Sequence, residues 1–187
     1  MHLNNSMSVV MMGGVPCSGK SSIIKRVIHG LGSGENIEPM TLFPCQRHDD
    51  ILVVGRYPEG QTFGGTDRLS YATISKFTDF ILQEYPKHKH IIIEGDRFFR
   101  VKDIEWLVHG YDTKVYVLQV SSSELKKRHF YRKDKQSDKW LKGRNTQIQN
   151  ILTNLVLMGE LNIRTNDTQE DSQELVREIR DLITSTS

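Results

Sequence analysis

Gly14-Val15-Pro16-Cys17-Ser18-Gly19-Lys20-Ser21, followed by Ser22, fits the spacing G-x-x-x-x-G-K-[ST] at every fixed position. These residue types in this order can cradle a polyphosphate. Glycines let the backbone curl so that its N–H groups converge on anionic oxygens. A helix N-terminus directly after them adds partial positive charge. Lys20 is then placed to reach the terminal phosphates, and the Ser21 hydroxyl to sit on Mg²⁺. A plain glycine-rich turn needs no Gly19, Lys20 and Ser21 in register behind an apolar run, so the spacing favours the cradle.

Three other groups of residues carry chemical potential. The run "IIIEGDRFF" (Ile91–Phe99) ends a β-branched stretch in Glu94 and Asp96, with Arg97 beside them. Acids at such a strand end are placed to hold a metal shell near phosphates, and either Glu94 or Asp96 can be the nearer ligand. In "LKKRHFYRKDKQSDKWLKGR" (Leu125–Arg144), Arg128 and Arg132 lie four apart and share a helix face. Planar guanidinium groups there suit charge that develops on transferring phosphate. Phe130, Tyr131 and Trp140 interleave with the charge; bases can stack on such rings, but core burial is the expectation for Phe130 and Trp140. Acceptor activation needs a carboxylate, and the candidates are Asp49, Asp50 and Asp67. Asp67 lies in "GGTDR", where glycines permit close approach to a ligand, and helix capping explains it equally well. Arg68, Arg97 and Arg144 complete the candidate acceptor contacts.

The elements that must position these residues alternate in type. Strands are expected at Ser8–Gly13, Pro39–Phe43, Ile51–Gly55, His90–Glu94, Val115–Val120 and Leu161–Arg164. Helices are expected at Lys20–Leu31, Leu69–Tyr85, Ser122–Lys133, Thr146–Met158 and Gln169–Thr184, the last capped by Asp167 or Thr168. Gly30–Asn36 breaks the first helix, and Pro58–Asp67 reads as loop. Alternation of this kind implies an α/β fold, a parallel sheet with helices on both faces. No repeat or linker divides residues 1–187, so one domain is expected.

Bulk properties narrow the classes. Apolar residues at 37% and charged residues at 26% describe a globular chain, and no apolar run approaches a membrane span. The N-terminus lacks the pattern of a secretory signal, which places the chain in the cytoplasm, the host's if a phage encodes it. Cys17 and Cys45 lack zinc-ligand spacing and read as free thiols. The net charge of +2 is small, but between Glu124 and Arg144 nine Lys/Arg face three Asp/Glu. Positive charge is thus local to one segment. No N-K-x-D guanine motif occurs, which argues against a GTPase, and the chain is too short for an AAA-type ATPase with its helical lid domain.

Taken together, "GGVPCSGKSS", "IIIEGDRFF", the arginine pair and "NIRTNDTQED" resemble the small P-loop kinases of the nucleoside/nucleotide kinase superfamily. That resemblance implies a P-loop NTPase fold with five parallel strands in the order 2-3-1-4-5, and a helical lid at about residues 124–145. It implies ATP and Mg²⁺, with Asn166–Thr168 lying against adenine and Arg128 contributing to the nucleotide site. "VVGRYPEGQTFGGTDRLS" (Val53–Ser70) and "KWLKGRNTQIQNI" (Lys139–Ile151) further resemble bacteriophage kinases of 5-hydroxymethyluracil in DNA. The implied reaction moves the γ-phosphate of ATP to a hydroxyl, with DNA carrying a modified pyrimidine as partner. A kinase of a free nucleoside or nucleotide, and a nucleotide-binding module without acceptor chemistry, are the alternatives.

Overall fold

The computed structural model describes residues 7–58, 64–132 and 136–185. In chain order the elements are β1 (Ser8–Gly14), α1 (Lys20–His29), β2 (Glu35–Met40), β3 (Phe43–His48), β4 (Ile51–Val54), α2 (Phe77–Glu84), β5 (His90–Glu94), α3 (Val101–Gly110), β6 (Thr113–Gln119), α4 (Ser122–Arg132), α5 (Asp138–Leu152), β7 (Leu161–Thr165) and α6 (Gln169–Thr184). Short 3₁₀ turns at Thr66–Arg68 and Tyr71–Lys76 lead into α2.

One mixed sheet of seven strands runs in the order β2-β3-β4-β5-β1-β6-β7. Strands β4, β5, β1, β6 and β7 pair in parallel. Strands β2 and β3 add an antiparallel extension beyond β4. The expectation of five parallel strands is corrected by this pair. Its cause is local: the strand expected at Pro39–Phe43 is the tip of a hairpin, with Leu42 at φ 74° turning the chain between β2 and β3.

Residue parity assigns the two faces of the sheet, because successive side chains on a strand point opposite ways. Val9 and Met11 of β1 join Leu52, Ile91, Ile93, Val115 and Val117 on one face, covered by α2, α3 and α5. Val10 and Met12 join Val53, Ile92, Tyr116 and Leu118 on the other, covered by α1 and α6. Phe43 and Phe80 stack at 4.3 Å, as do Phe77 and Phe98. Burial on both faces is why the central strands read as unbroken apolar runs. Helix α3 has no counterpart among the expected elements; Ile104 and Leu107 bury its inner side. Helix α5 starts eight residues before the expected Thr146 and ends before Leu155, which is exposed. Helix α4 is the exception to the layering, with no buried residue.

Candidate active site

Strands β1 and β5 pair Met12 with Glu94, so the glycine-rich loop and the two acids leave the sheet side by side at its C-terminal edge. Gly19 precedes α1 at φ 94°, in the left-handed region where glycine is favoured. A Cβ there would stand 2.4 Å from Nδ2 of Asn166. Asn166 is buried and donates from Nδ2 to the Ser18 carbonyl at 2.6 Å. Its Oδ1 accepts from the Ser172 hydroxyl at 2.5 Å. It therefore braces the phosphate loop against the start of α6. Thr168 caps α6 in a reciprocal box with Asp171, which commits its side chain to structure.

Lys20 is buried, and Nζ donates to the carbonyls of Gly14 (2.9 Å) and Val15 (3.3 Å). It also faces Asp96 Oδ1 at 3.6 Å. Ser21 donates to Oε1 of Glu94 at 3.1 Å, and the Tyr57 hydroxyl donates to Oε2 at 2.9 Å. Glu94 is fully buried, and burial pushes its carboxyl up to about 7 against the opposing pull of Lys20. The loop carrying Asp67 is fastened to the same strand end. Thr66 donates to the Glu94 carbonyl at 2.8 Å, and Asp67 Oδ1 accepts from the Asp96 amide at 2.7 Å. Gly95, at φ 118°, leaves room for this approach: a Cβ would stand 2.7 Å from Asp67 Oδ1. Burial, then the charge of Asp96, raises the Asp67 carboxyl above its ordinary range.

A cavity of about 370 Å³ opens over these groups. Lys20, Ser21, Asp67 and Asp96 line it together with Arg128, Arg132 and Trp140. Arg26 and Gln136, which carried no motif, also line it. Arg128 makes a bridge: Nη1 donates to the carbonyls of Cys17 (3.4 Å) and Ser18 (3.3 Å), and Nη2 to those of Asn166 (2.6 Å) and Asp167 (3.3 Å). Glu124 holds its Nε at 3.0 Å. Arg132 Nη1 donates to Cys17 Sγ at 3.3 Å. The paired arginines thus clamp α4 onto the phosphate loop.

Other expected contacts are distributed differently. Asp49 and Asp50 lie in the β3–β4 turn, where Ile51 pairs with His90. That is the sheet edge opposite the phosphate loop, so the structure removes both from the site. Arg68 is exposed beside Asp67. Arg97 donates to the Asp67 carbonyl at 3.2 Å and stacks on Tyr71, 3.6 Å from the ring centroid. Arg144 lies 5.7 Å from the Trp140 ring, and Gln147, one turn on, donates to the carbonyls of Asp96 and Phe99. Tyr57, Thr66 and Gln147 had no sequence signal, because each acts through a partner far away in the chain.

Among the described residues no group of three or more His, Cys, Asp and Glu is arranged to hold a metal ion by itself. Ser21, Glu94 and Asp96 nevertheless offer the hard oxygen donors Mg²⁺ takes. The residues fit an ion that completes its shell with substrate phosphates and water.

No protein-family model matches the chain, and no curated protein matches it. Solved structures do. Shikimate kinase from Bacteroides thetaiotaomicron aligns over 96% of this chain and 99% of its own, at 12% identity and a TM-score of 0.49. A gluconokinase from Sinorhizobium meliloti 1021 aligns over 96% and 95%, at 14% identity and 0.47. Polyphosphate kinase 2 from Arthrobacter aurescens TC1 aligns over 96% of this chain and 69% of its own, at 12% identity and 0.51. The chain shares with this last enzyme the α/β fold of a kinase.

Proposed function

We propose that the chain is an ATP- and Mg²⁺-dependent phosphotransferase acting on a hydroxyl, with the hydroxymethyl group of 5-hydroxymethyluracil in DNA as its acceptor. The observation that carries the reading is the convergence of Lys20, Asp67 and Asp96 in a single cavity behind the glycine-rich loop. Residues 14–22 bind the polyphosphate of ATP, with Lys20 turning its ammonium from the loop carbonyls to the terminal phosphate. The Asn166–Thr168 turn lies against adenine. Ser21, Glu94 and Asp96 would hold Mg²⁺, which when bound would neutralise phosphate charge. Asp67 orients the acceptor hydroxyl: Oδ1 is committed to the Asp96 amide, so Oδ2 takes the proton as the hydroxyl oxygen attacks the γ-phosphorus and the bond to the bridging oxygen breaks, with ADP leaving. Arg128 and Arg132, in the lid at residues 124–145, exclude water and hold the loop while charge moves. Arg97, Arg68 and Arg144 surround the acceptor side.

Terminally labelled ATP tests this reading. Duplex DNA containing 5-hydroxymethyluracil is expected to take label, and matched thymine DNA is not, because a methyl group offers no nucleophilic oxygen. A second reading, a kinase of a free nucleoside or nucleotide, is favoured by the modest cavity, which suits a small acceptor. Efficient labelling of a free nucleotide with none of the DNA selects it. Hydrolysis of ATP with no labelled acceptor selects a nucleotide-binding module.

A further inference from the structure

Helix α4 has two unlike faces. Glu124, Arg128 and Arg132 follow one another at i, i+4 spacing and turn toward the phosphate loop. Lys126, Lys127, Phe130 and Tyr131 are exposed and form a flanking stripe, from which Lys127 reaches back to pair with Glu124 at 3.5 Å. Each lysine stands four residues before an aromatic, so each charge lies one turn from a ring. Phe130 is 79% exposed and Tyr131 81%, their rings edge to face at 5.9 Å. Core burial, the expectation for Phe130, is corrected here. No sheet face is near enough to cover these rings, because nothing on α4 is buried. Adjacent exposed aromatics on a cationic helix call for a partner with flat apolar faces and negative charge.

We propose that this outward stripe binds unpaired nucleotides, with bases stacking on Phe130 and Tyr131 and phosphates on Lys126 and Lys127. The inference rests on the reading of nucleic acid as acceptor, and it names a surface outside the cavity. Charge complementarity commits the occupant: the stripe carries two cations, Lys126 and Lys127, and no acid, within a segment of nine Lys/Arg against three Asp/Glu. Base-paired nucleotides hide their faces in the stack, whereas unpaired ones present them to aromatic rings. A membrane surface is the poorer partner, because interfacial helices bury a continuous apolar face and α4 offers two rings between cations.

Anisotropy of a fluorescein-labelled oligothymidylate, measured without ATP and at low salt, tests the stripe. F130A/Y131A is expected to weaken binding at least about tenfold, since each stacked base contributes on the order of 1–3 kcal/mol. F130W/Y131W should retain it. K126A/K127A should make the slope of log K against log salt shallower by about 1.4, while F130A/Y131A leaves the slope unchanged. Oligothymidylate affinity unaltered in F130A/Y131A, with the helix intact by circular dichroism, overturns the inference. So does ring-dependent binding to phosphatidylserine vesicles without binding to the oligonucleotide. The outcome is separable from the acceptor reading. Ring-dependent binding without labelling of hydroxymethyluracil DNA removes the acceptor and keeps the surface. Normal labelling with ring-independent binding does the reverse.

Discussion

Lys20 spends its ammonium on two loop carbonyls and Asp96, so it is both a ligand group and a minor strut of its own loop. Lys20→Ala should keep the fold, with a Tm loss of a few degrees from about 1 kcal/mol of hydrogen bonding. Phosphoryl transfer should fall by orders of magnitude, since one preorganised charge contact is worth roughly 2.7–4 kcal/mol. Near-normal turnover in this variant removes the phosphate-loop assignment. Tyr57→Phe tests a different contribution. It leaves Oε2 of a fully buried Glu94 without its donor, which costs about 1–3 kcal/mol. Thermal denaturation should show the loss, and an unchanged Tm would mean Tyr57 does not hold the carboxylate. The contrast also marks what sequence reveals at this scale. Lys20, Glu94 and Asp96 are legible because a local pattern, strand then loop or helix, fixes where they point. Tyr57 meets Glu94 across 37 residues of chain, and no spacing encodes that meeting.

Helix α4 is attached to the phosphate loop through arginine and carbonyl oxygens rather than through packing. Arg128→Ala should therefore raise the KM for ATP and lower kcat together, because loop, lid and the Asn166 turn lose their common tie. A kcat defect alone, with ATP affinity intact by calorimetry, would instead assign Arg128 to developing charge only. Arg132→Ala removes a contact to Cys17 Sγ, a weak sulfur acceptor rather than a carbonyl oxygen, and should be the milder change for the loop. Elements with one apolar face or an unbroken apolar run were readable: β1, β5, β6 and α6 match their expected spans closely. The β2–β3 hairpin was not. Edge strands carry little burial, and "ENIEPM" holds a proline and two acids that argue against a ladder. Helix α3 escaped because only Ile104 and Leu107 of its apolar residues are fully buried, too short a stripe to announce a period.

For the molecule as a whole, two buried histidines make a contribution to stability that acid removes. His90 opens β5 and bonds the Ser8 hydroxyl at 2.8 Å, and His48 ends β3; both are buried. Burial lowers both imidazoles below their ordinary range, further aided at His90 by Lys89. The unfolded chain thus binds more protons near its own value of about 6.5. This contribution is full above that pH and falls as pH drops toward the folded values. The difference in Tm between the chain and His90→Gln should shrink on acidification through this window, which isolates the histidine contribution from that of Glu94, whose raised carboxyl gains stability as pH falls. An identical profile in His90→Gln would show that the ring takes its proton without cost or is free to leave its site. The central place of β1 has a temporal consequence as well. Among the described strands it comes first in chain order, yet its neighbours are β5 and β6. On a ribosome adding about 5–20 residues per second, the strand that carries the phosphate loop waits on the order of 5–20 s for the second of them. Until β5 is made this largely apolar segment has no sheet to enter, and its other edge stays unpaired until β6 follows. The nascent chain should therefore engage hold-type chaperones until β6 emerges, and acquire nucleotide affinity only afterwards.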